Sequence, residues 1–478
     1  MDSAQARDEL HRRMSRPQRH RLLQGYPMAP LMWPVRGRYE PFAEIKLDPS
    51  RPLIIGVLPH TFCNPKIRGC GFCTFPHEKF GREPLRRTVD EVANEIEWIE
   101  MREPELRARH VEAVYFGGGT ANLTPPDDLR RLCSILGCTF DLSGSELTLE
   151  GVPRYFLLQD EALLDVLAEA GVRHRRISMG VQTFDPGWLR RMGRDAFGDR
   201  SEIQRVVDAA HRRGFTASAD LLFNLPGASR DLVLADVHTA VELGFDQICA
   251  YNLVLTPDLG TEWARESSLV QSMPQVEEAL ATWLAVRERL LASGYVQTTL
   301  TNFERADIVG TSRRFVYEAA SFDPARYDGI GFGPGAISTF TSRDPHSALK
   351  WMNTGTSNDF ISAIDKLGLA TASVFPYDET DLRLLHLTRN LARLSIDRAA
   401  YEAYFGTDPL TDFAPHWQAL EEARLVRLDG PARIEPTPEG MFYADAIAGL
   451  LAHEQAGELK RLIGDRAGSR RHLEQHMG

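Results

Sequence analysis

The chain has 478 residues, of which 43% are hydrophobic and 25% charged, a balance typical of a globular protein with a large core. Its formal net charge of −11 argues against nucleic acid or an anionic membrane as the main partner. No apolar run approaches the roughly 20 residues of a membrane-spanning helix, so we expect no membrane partner.

Residues 1–50 form an N-terminal extension that we expect to pack as an arm over the main domain. The extension begins with a polar, basic stretch that lacks the apolar region of a secretory signal, and continues with GYPMAPLMWPVRGRYEPF. An arm that contributes to a substrate pocket is the alternative. Six cysteines are too few for a disulfide-stapled secreted fold of this length. We therefore expect a cytoplasmic protein with reduced thiols.

Between residues 51 and 305, short apolar runs alternate with longer amphipathic ones. Six of the short runs predict strands: LIIGVL, VEAVYFGGG, ELTLEGV, RRISMGVQTF, FTASADLLFNLPG and DQICAYNLVL. Helical patterns lie between them, and in TVDEVANEIEWIE a capping box at Thr88 and Glu91 predicts the helix start. The apolar face of that helix comprises Val92, Ile96 and Ile99.

Strands that alternate with helices predict a parallel sheet, so the expected fold class is α/β. Six units rather than eight indicate a partial, TIM-like (β/α)6 barrel over residues 51–305. In such barrels the chemistry lies at the carboxyl ends of the strands.

The pattern changes after residue 305. Residues 306–375 form a connecting segment that contains the glycine-rich loop YDGIGFGPGAIS. Residues 376–460 follow the pattern helix, helix, hairpin, helix, which predicts a winged-helix-like C-terminal domain, and residues 461–478 form a polar tail. Because this domain has no basic recognition helix, we expect a lid or docking role rather than DNA binding.

Cys63, Cys70 and Cys73 lie within eleven residues, directly after the first predicted strand. A structural zinc site needs four ligands, so His60 or His77 would have to complete the set. A disulfide would leave one thiol over. A four-iron cluster held by three thiolates, with its fourth iron open to a substrate, fits this cysteine count and its place at the barrel mouth best. The remaining cysteines, expected to be buried structural residues, are Cys133, Cys138 and Cys249.

Five further motifs follow the cysteines in an order that resembles one family. They are YFGGGTANL, RISMGVQTFDPGWLRRMGR, DLLFNLPG, GFGPGAIS and TPEGMFYADAI. Each is similar to a motif of the radical S-adenosylmethionine (SAM) enzymes of the HemN-like group. The resemblance extends from about residue 53 to residue 455. The group contains the oxygen-independent coproporphyrinogen oxidases, a haem chaperone, and the class C methylases and cyclopropanases.

The resemblance implies the cofactors and their ligands. A [4Fe–4S] cluster would be ligated by Cys63, Cys70 and Cys73, and SAM would chelate the remaining iron, with a second SAM molecule bound nearby. The residues that would bind SAM are Phe72, Gly118, Gly119, Thr120, Glu150, Gln182, Arg194 and Asp220. Their types suit this ligand, because glycine allows close backbone approach and carboxylate and guanidinium groups pair with its charged ends.

The sequence departs from the family pattern near the cluster. Six residues, NPKIRG, separate the first two cysteines where the family has three, and Val57 stands in place of a tyrosine. The coproporphyrinogen oxidases carry a further cysteine where this chain has Phe75. The H-N-x-x-Y-W motif of the haem-chaperone branch is missing before the glycine-rich loop. These departures weaken both of the best-known functions of the group.

The departures favour an enzyme that resembles the class C kind. In that chemistry a 5′-deoxyadenosyl radical takes hydrogen from the methyl group of a second SAM, and the methylene radical adds to an sp² carbon. The resemblance implies C-methylation or cyclopropanation of an unsaturated or aromatic natural-product intermediate. It also implies an electron donor of the flavodoxin or ferredoxin type, and a partner methyltransferase is a further candidate.

Two alternatives stay open. One is oxidative decarboxylation of a porphyrinogen-like substrate, as in the coproporphyrinogen III oxidases, which needs basic residues for the propionates. The candidates for that role are Arg175, Arg176, Arg313 and Arg314. The other is a haem-handling chaperone whose cluster serves redox sensing.

Overall fold

A computed structural model describes residues 1–19, 25–63, 70–76, 78–344, 346–428, 430 and 432–463. Within these ranges the strands form one sheet of thirteen strands and one of three. In chain order the strands are β1 (Trp33–Pro34), β2 (Leu53–Val57), β3 (Val111–Phe116), β4 (Glu146–Gly151), β5 (His174–Gln182), β6 (Thr216–Phe223), β7 (Gln247–Asn252), β8 (Tyr295–Gln297), β9 (Asn302–Arg305), β10 (Asp328–Phe332), β11 (Ile337–Thr341), β12 (Ala348–Asn353), β13 (Thr371–Tyr377), β14 (Ile396–Asp397), β15 (Val426–Arg427) and β16 (Arg433–Pro436).

The helices connect these strands and build the C-terminal region. In chain order they are α1 (Ser3–Met14), α2 (Arg82–Arg102), α3 (Pro104–Arg107), α4 (Pro126–Thr139), α5 (Ala162–Glu169), α6 (Pro186–Arg191), α7 (Arg200–Arg212), α8 (Arg230–Glu242), α9 (Glu262–Arg265), α10 (Ser267–Gln271), α11 (Val276–Ala292), α12 (Val316–Ser321), α13 (Ser357–Leu367), α14 (Glu379–Ala392), α15 (Arg398–Phe405), α16 (Pro409–Asp412), α17 (Ala414–Glu422), α18 (Pro438–Phe442) and α19 (Ala444–Leu451). Every helix in the described ranges is too short or too polar to cross a membrane.

Six neighbouring strands, β2 to β7, form the parallel centre of the large sheet, and their spatial order equals their order in the chain. Helices connect each consecutive pair, as parallel pairing requires. All six strands predicted from the sequence are present, which confirms the α/β, partial-barrel fold class. The carboxyl ends of these strands share one edge of the sheet.

Further strands extend this parallel centre on both sides. Strand β10 pairs parallel with β2, and β11, β12, β13 and β1 continue the sheet in antiparallel pairing. Beyond β7, strands β9 and β8 pair antiparallel. The predicted connecting segment, residues 306–375, therefore contributes β10, β11, β12 and most of β13 to the same sheet.

The two faces of the parallel strands pack against different elements. On the outer face, Leu53, Ile55 and Val57 are fully buried in the main core. Each such side chain contributes about 1.5–3 kcal/mol relative to exposure. On the inner face, helix α12 packs against Ile54 and Ala113. The sheet is therefore covered by helices on its outer face and by α12 on part of its inner face.

A polar network fixes α12 to the inner face of the sheet. Arg176 donates from Nε to Oε1 of Gln247 at 2.5 Å, and its Cζ lies 3.7 Å from the ring centroid of Phe315. The backbone amide of Val316, at the start of α12, donates to Oε2 of Glu146 at 2.8 Å. Such bonds are needed because burial of an unpaired charge is costly.

Helix α2 begins earlier than its sequence pattern predicts. It starts at Arg82 after Gly81, and the hydroxyl of Thr88 donates to the carbonyl of Pro84 inside the helix at 2.7 Å. Pro84 is tolerated because it lies in the first turn, where a backbone N–H has no helical partner. The predicted capping box at Thr88 and Glu91 is therefore wrong. The predicted apolar face is buried: Val92, Ile96 and Ile99.

The region after β13 contains α14 to α19 and the small sheet β14–β16–β15, in line with the winged-helix-like pattern. Helix α1 packs against α17 and α19, and the ammonium group of Met1 lies 2.6 Å from Oε1 of Glu454. The N-terminal arm also contacts the barrel, because Asn252 at the end of β7 donates to the carbonyl of Gln18 at 2.9 Å. The domain boundaries stay predictions, and residues 464–478 of the tail lie outside the described residues.

Candidate functional site

One cavity of about 290 Å³ opens at the carboxyl ends of the parallel strands. We call it the cysteine cavity. All eleven residues assigned to the cofactors from the sequence line it: Cys63, Cys70, Phe72, Cys73, Gly118, Gly119, Thr120, Glu150, Gln182, Arg194 and Asp220. They come from the loops after β2 and β3, from β4, β5 and β6, and from the turn after α6. Their individual roles toward the cofactors stay predictions.

The segment that carries the cysteines is fixed on both sides. The amide of Glu78 donates to the carbonyl of Thr61 at 3.0 Å, and the amide of Ser357 donates to the Glu78 carboxylate at 2.6 Å. Inside the segment, Gly71 has a φ of 56°, and a Cβ there would lie 2.2 Å from Nε1 of Trp263. Only glycine allows this contact. The NPKIRG insert (residues 64–69) and His77 lie outside the described residues.

The three thiols suit a cluster better than a single ion. Within the described ranges, no set of three His, Cys, Asp or Glu side chains converges closely enough to hold one metal ion. A four-iron cluster binds each thiolate at a different iron, so its ligands stand further apart while they line one cavity. His60, the candidate zinc ligand, does not line the cavity, and its Nδ1 accepts from the amide of Phe62 at 3.2 Å. Burial lowers the pKa of His60 to about 3.

The surroundings of the thiols explain why a bound cation is needed. Burial raises the pKa of Cys63 to about 11 and also raises the pKa of Cys73. A metal centre would convert such thiols into thiolates. Arg194 donates from Nη1 to Sγ of Cys70 at 3.1 Å.

The glycines after β3 form a wall that a larger residue would block. A Cβ on Gly119 would lie 2.9 Å from the carbonyl oxygens of both Thr61 and Phe62, and Gly118 has a φ of 120°. Because these neighbours are backbone atoms, they cannot move aside as a flexible side chain would. The wall therefore brings backbone amides close to the space where a ligand would lie.

Two half-buried carboxyl groups, those of Glu150 and Asp220, face the cavity from β4 and β6. Glu150 accepts a hydrogen bond from the hydroxyl of Tyr115 at 2.9 Å, and burial raises the pKa of its carboxyl. Burial and the neighbouring Glu150 raise the pKa of Asp220 to about 7. A cationic ligand group would relieve the cost of holding these two acids together.

Gln182 lies at a distortion of β5. Its φ of 71° places it in the left-handed region, and the register with β6 shifts between Gly180 and Gln182. The following loop is held by Asp236 of α8, which accepts from the hydroxyl of Thr183 at 2.6 Å and from the amide of Phe184 at 2.7 Å. Strained backbone of this kind clusters at functional sites.

Five further residues line the cavity that the sequence reasoning missed: Phe75, Gly151, Val152, Gly180 and Phe197. Of these, Gly180 had a usable signal, because a glycine inside a strand pattern indicates close approach of another group. A Cβ at Gly180 would lie 2.9 Å from Nε2 of Gln182. The apolar residues had no such signal, because an isolated phenylalanine or valine in a sequence is most simply interpreted as a residue of the hydrophobic core.

A second cavity, of about 380 Å³, lies on the inner face of the sheet beside α12. We call it the aromatic groove. Six aromatic rings line it, those of Tyr115, Tyr251, Phe315, Tyr317, Phe322 and Tyr327. Glu318 and Arg389 are its charged lining residues within the described ranges. The sequence reasoning did not predict this groove, because it is assembled from segments far apart in the chain.

The two cavities share a wall. Tyr115 lines the aromatic groove, and its hydroxyl donates to Glu150, which lines the cysteine cavity. The ring centroid of Tyr115 lies 5.0 Å from that of Tyr317 on α12. A molecule in the groove would therefore lie one side chain away from the residues predicted to bind SAM.

The arginines considered for propionate binding line neither cavity within the described ranges: Arg175, Arg176, Arg313 and Arg314. Arg176 is engaged with Gln247, Arg313 donates to Asp246 at 2.9 Å, and Arg175 donates to backbone carbonyls of the preceding helix and turn. The two cavities therefore give no support for the recruitment of these arginines as propionate ligands.

The remaining cysteines are not all buried. Cys249 is buried, Cys133 is half-buried and Cys138 is exposed. Helix α4 buries Leu132 and Leu136, and Cys138 lies two residues beyond Leu136, about 200° around the helix. The prediction of burial is therefore wrong for Cys138.

Comparison with known proteins supports the geometry. Residues 57–258, a range that contains all eleven predicted residues, match the model of the Radical SAM superfamily. The oxygen-independent coproporphyrinogen III oxidase of Bradyrhizobium diazoefficiens is 26% identical over 455 residues, which cover 91% of this chain and 94% of that protein. The haem chaperone HemW of Lactococcus lactis is 27% identical over 269 residues, which cover 55% of this chain and 65% of that protein.

One solved structure matches nearly the whole fold. It is coproporphyrinogen III oxidase (HemN) from Escherichia coli, with a TM-score of 0.70 and 21% identity over 90% of this chain and 96% of that chain. At this identity the likeness concerns the fold. The superfamily uses a [4Fe–4S] cluster and SAM, and these are the cofactors of this chain. Residues 57–258 therefore form a domain of the radical SAM superfamily, in a chain whose fold is similar to that of HemN.

Proposed function

We propose that this chain cleaves SAM at the cysteine cavity and directs the resulting radical at a substrate held in the aromatic groove. The observation that carries the proposal is the hydrogen bond between Tyr115 and Glu150, 2.9 Å long, which joins the two cavities. Because these two side chains form the wall shared by the two cavities, a substrate in the groove would lie directly beside the predicted SAM site.

The residues of the cysteine cavity would bind the two cofactors and exclude water. When bound, the cluster and SAM supply an electron and a 5′-deoxyadenosyl radical that removes a hydrogen atom from the substrate. Cys63, Cys70 and Cys73 hold the cluster, and Glu150 and Asp220 pair with the ammonium or hydroxyl groups of SAM. The rings of Phe72, Phe75 and Phe197 line the same cavity and exclude water from it.

The groove favours a planar, unsaturated substrate. Six aromatic side chains line it, and ring faces stack on planar molecules with favourable geometry. The first candidate reaction is oxidative decarboxylation of a porphyrinogen-like tetrapyrrole, because the named relatives include coproporphyrinogen III oxidases and a haem chaperone. In that reaction a 5′-deoxyadenosyl radical would take a hydrogen atom from a propionate side chain, and loss of carbon dioxide with transfer of one electron to an external acceptor would leave a vinyl group.

A second candidate is transfer of a methyl or methylene group from a second SAM to an sp² carbon. It is favoured by the charge of the groove, which in the described lining has one arginine and one glutamate. A porphyrinogen with several propionates needs more cations than this. The coproporphyrinogen oxidases have an additional cysteine where this chain has Phe75, and this difference also favours methyl or methylene transfer.

The experiment that tests the proposal uses reconstituted, reduced protein and SAM that carries deuterium in its methyl group. The product, 5′-deoxyadenosine, is analysed by mass spectrometry with and without coproporphyrinogen. Deuterium in the product identifies a second SAM as the hydrogen donor and supports methyl transfer. Unlabelled product together with a vinyl porphyrinogen supports decarboxylation.

Two results would count against an enzymatic function. The first is the absence of 5′-deoxyadenosine from protein that carries its full cluster. The second is stoichiometric haem binding without SAM turnover, which would favour the chaperone alternative.

A further inference from the structure

Arg389 is the one arginine that the described residues contribute to the lining of the aromatic groove. It lies on α14, and its Cζ lies 5.7 Å from the ring centroid of Phe322. Burial lowers its pKa, and the neighbouring hydroxyls of Tyr377 and Tyr317 act against this shift. Arg389 is half-buried, and its guanidinium lies beside aromatic side chains at the edge of the groove.

This guanidinium has no hydrogen bond or ion pair with any of the residues that the structure describes. Two nearby arginines do: Arg393, directly after α14, lies 2.7 Å from Asp323, and Arg383 on α14 pairs with Glu379 at 2.5 Å. The acid of the groove, Glu318, is also engaged, because it accepts from the hydroxyl of Thr299 at 2.7 Å. A half-buried guanidinium beside aromatic rings with all its donors free favours an anionic partner.

The ring of Phe322 does not meet this requirement. At 5.7 Å the cation–π contact is near the outer limit of such interactions, and it leaves all five N–H donors of the guanidinium unused. The planar fork of an arginine matches the two oxygens of a carboxylate. One cation matches one negative charge, so a phosphate dianion would require a second cation that the described lining does not provide.

We propose that Arg389 binds a carboxylate carried by the ring substrate of the aromatic groove and so selects aromatic or conjugated acids with one carboxylate at this end. The inference rests on the proposed function in taking the groove as the substrate site. The aromatic rings would stack on the planar part of the substrate, and Arg389 would fix its orientation relative to the wall formed by Tyr115 and Glu150. Arg389 is thus a specificity-determining residue.

The test measures binding rather than turnover. The probes are naphthalene-2-carboxylate and the uncharged naphthalene-2-carboxamide, titrated into the reconstituted full-length protein by calorimetry. We expect wild type to bind the acid at least about tenfold more tightly than the amide, as charge-assisted bonds allow. Arg389→Gln should lose this preference while it still binds the amide, and Arg389→Lys should keep part of it.

Arg393→Gln is the matched control, because Arg393 directly follows α14, four residues after Arg389, and is paired with Asp323. It should bind both probes as wild type does. The inference is overturned if Arg389→Gln keeps the preference for the acid. It is also overturned if wild type shows no preference between the two probes.

SAM also carries a carboxylate, so the source of the anion is tested separately. The number of SAM molecules bound per chain is measured for wild type and Arg389→Gln. An unchanged number supports the substrate assignment. If Arg389→Gln binds one SAM fewer but keeps its preference for the acid probe, Arg389 belongs to a SAM site and the inference is overturned. Arg389-dependent acid binding in a protein that forms no 5′-deoxyadenosine would support the anion site and reject the proposed function.

Discussion

Gln182 has a backbone that glycine adopts more readily than glutamine. Its φ of 71° lies at the end of β5, where the register with β6 shifts. Such a conformation costs about 1–3 kcal/mol in general and persists where the surrounding structure enforces it. Here the backbone is held in place by the next two residues, because Thr183 and Phe184 both donate hydrogen bonds to Asp236. The side chain of Gln182 is thereby directed into the cysteine cavity.

Gly119 provides the sharpest test of the glycine wall. Gly119→Ala places a Cβ 2.9 Å from two backbone carbonyl oxygens of the segment that leads into Cys63. We expect a loss of about 1–3 kcal/mol of stability, as for other overpacked positions, and at least a tenfold loss of SAM affinity. Thermal unfolding and equilibrium dialysis with SAM measure the two effects.

The matched control is Gly137→Ala on α4. No atom lies within 4 Å of a Cβ at this position, and alanine favours a helix by about 0.5–1 kcal/mol over glycine. The control should bind SAM as wild type does and unfold at the same or a slightly higher temperature. Wild-type SAM affinity in Gly119→Ala would show that the wall does not approach the ligand.

At the residue scale, the sequence predicted the polar residues of the cysteine cavity, two of its four glycines and, of its apolar residues, only Phe72. Cysteine spacing and glycine runs are rare patterns, so they identify a site even without a structure. Phe197 and Val152 are common residue types in ordinary positions, and only the fold brings them to the cavity. Arg389 could not be found either, because an arginine without a partner looks the same in a sequence as one that is paired.

At the scale of elements, the parallel strands were predictable because they are buried on both faces and read as short apolar runs. The start of α2 was not, because Pro84 suggests a break and the cap signal at Thr88 is stronger than the real start at Gly81. The extension by β10 to β13 was also missed. These strands join the barrel through the parallel pairing of β10 with β2, which lies far away in the chain, and no local pattern shows such a pairing.

The contact between α8 and the loop after β5 gives a prediction at this scale. Asp236→Ala leaves the amide of Phe184 and the hydroxyl of Thr183 without their buried acceptor. We expect a loss of about 1–3 kcal/mol of stability and faster hydrogen exchange at residues 183–185. Asp236→Asn keeps one acceptor oxygen and should cost clearly less. Equal effects of the two substitutions would contradict the assigned contacts.

The pH dependence of stability tests the same contact. Burial raises the pKa of Asp236 to about 6, above its ordinary value of 3.8. Between these two pH values the folded protein binds more protons than the unfolded chain, so this residue makes stability fall as the pH rises from about 4 to about 6. Asp236→Asn should remove that part of the slope in unfolding temperature against pH.

At the scale of the whole molecule, helix α1 of the N-terminal arm packs against two helices of the C-terminal region, α17 and α19. Leu10 and Ala6 are fully buried on its inner face, against α17 and α19. Leu10→Ala should destabilise the protein by about 2–5 kcal/mol, the usual cost of such a cavity. Hydrogen exchange should rise first in residues 414–422 and 444–451.

Arg7→Ala is the control for this helix. Arg7 and its partner Glu422 are both about half exposed, with a separation of 3.2 Å, and such pairs contribute about 0–1 kcal/mol. Unchanged exchange in α17 and α19 after Leu10→Ala would mean that the N-terminal arm does not support the C-terminal region.

The central claim is that three thiols hold a cluster at which SAM is cleaved, and one measurement tests it most directly. Iron content and 5′-deoxyadenosine formation are measured in parallel for reconstituted wild type, Cys70→Ser and Cys138→Ser, the last of which changes an exposed cysteine outside the cavity. We predict a four-iron cluster and 5′-deoxyadenosine for wild type and Cys138→Ser, and neither for Cys70→Ser. Full activity in Cys70→Ser, or no 5′-deoxyadenosine from cluster-loaded wild type, would contradict the claim.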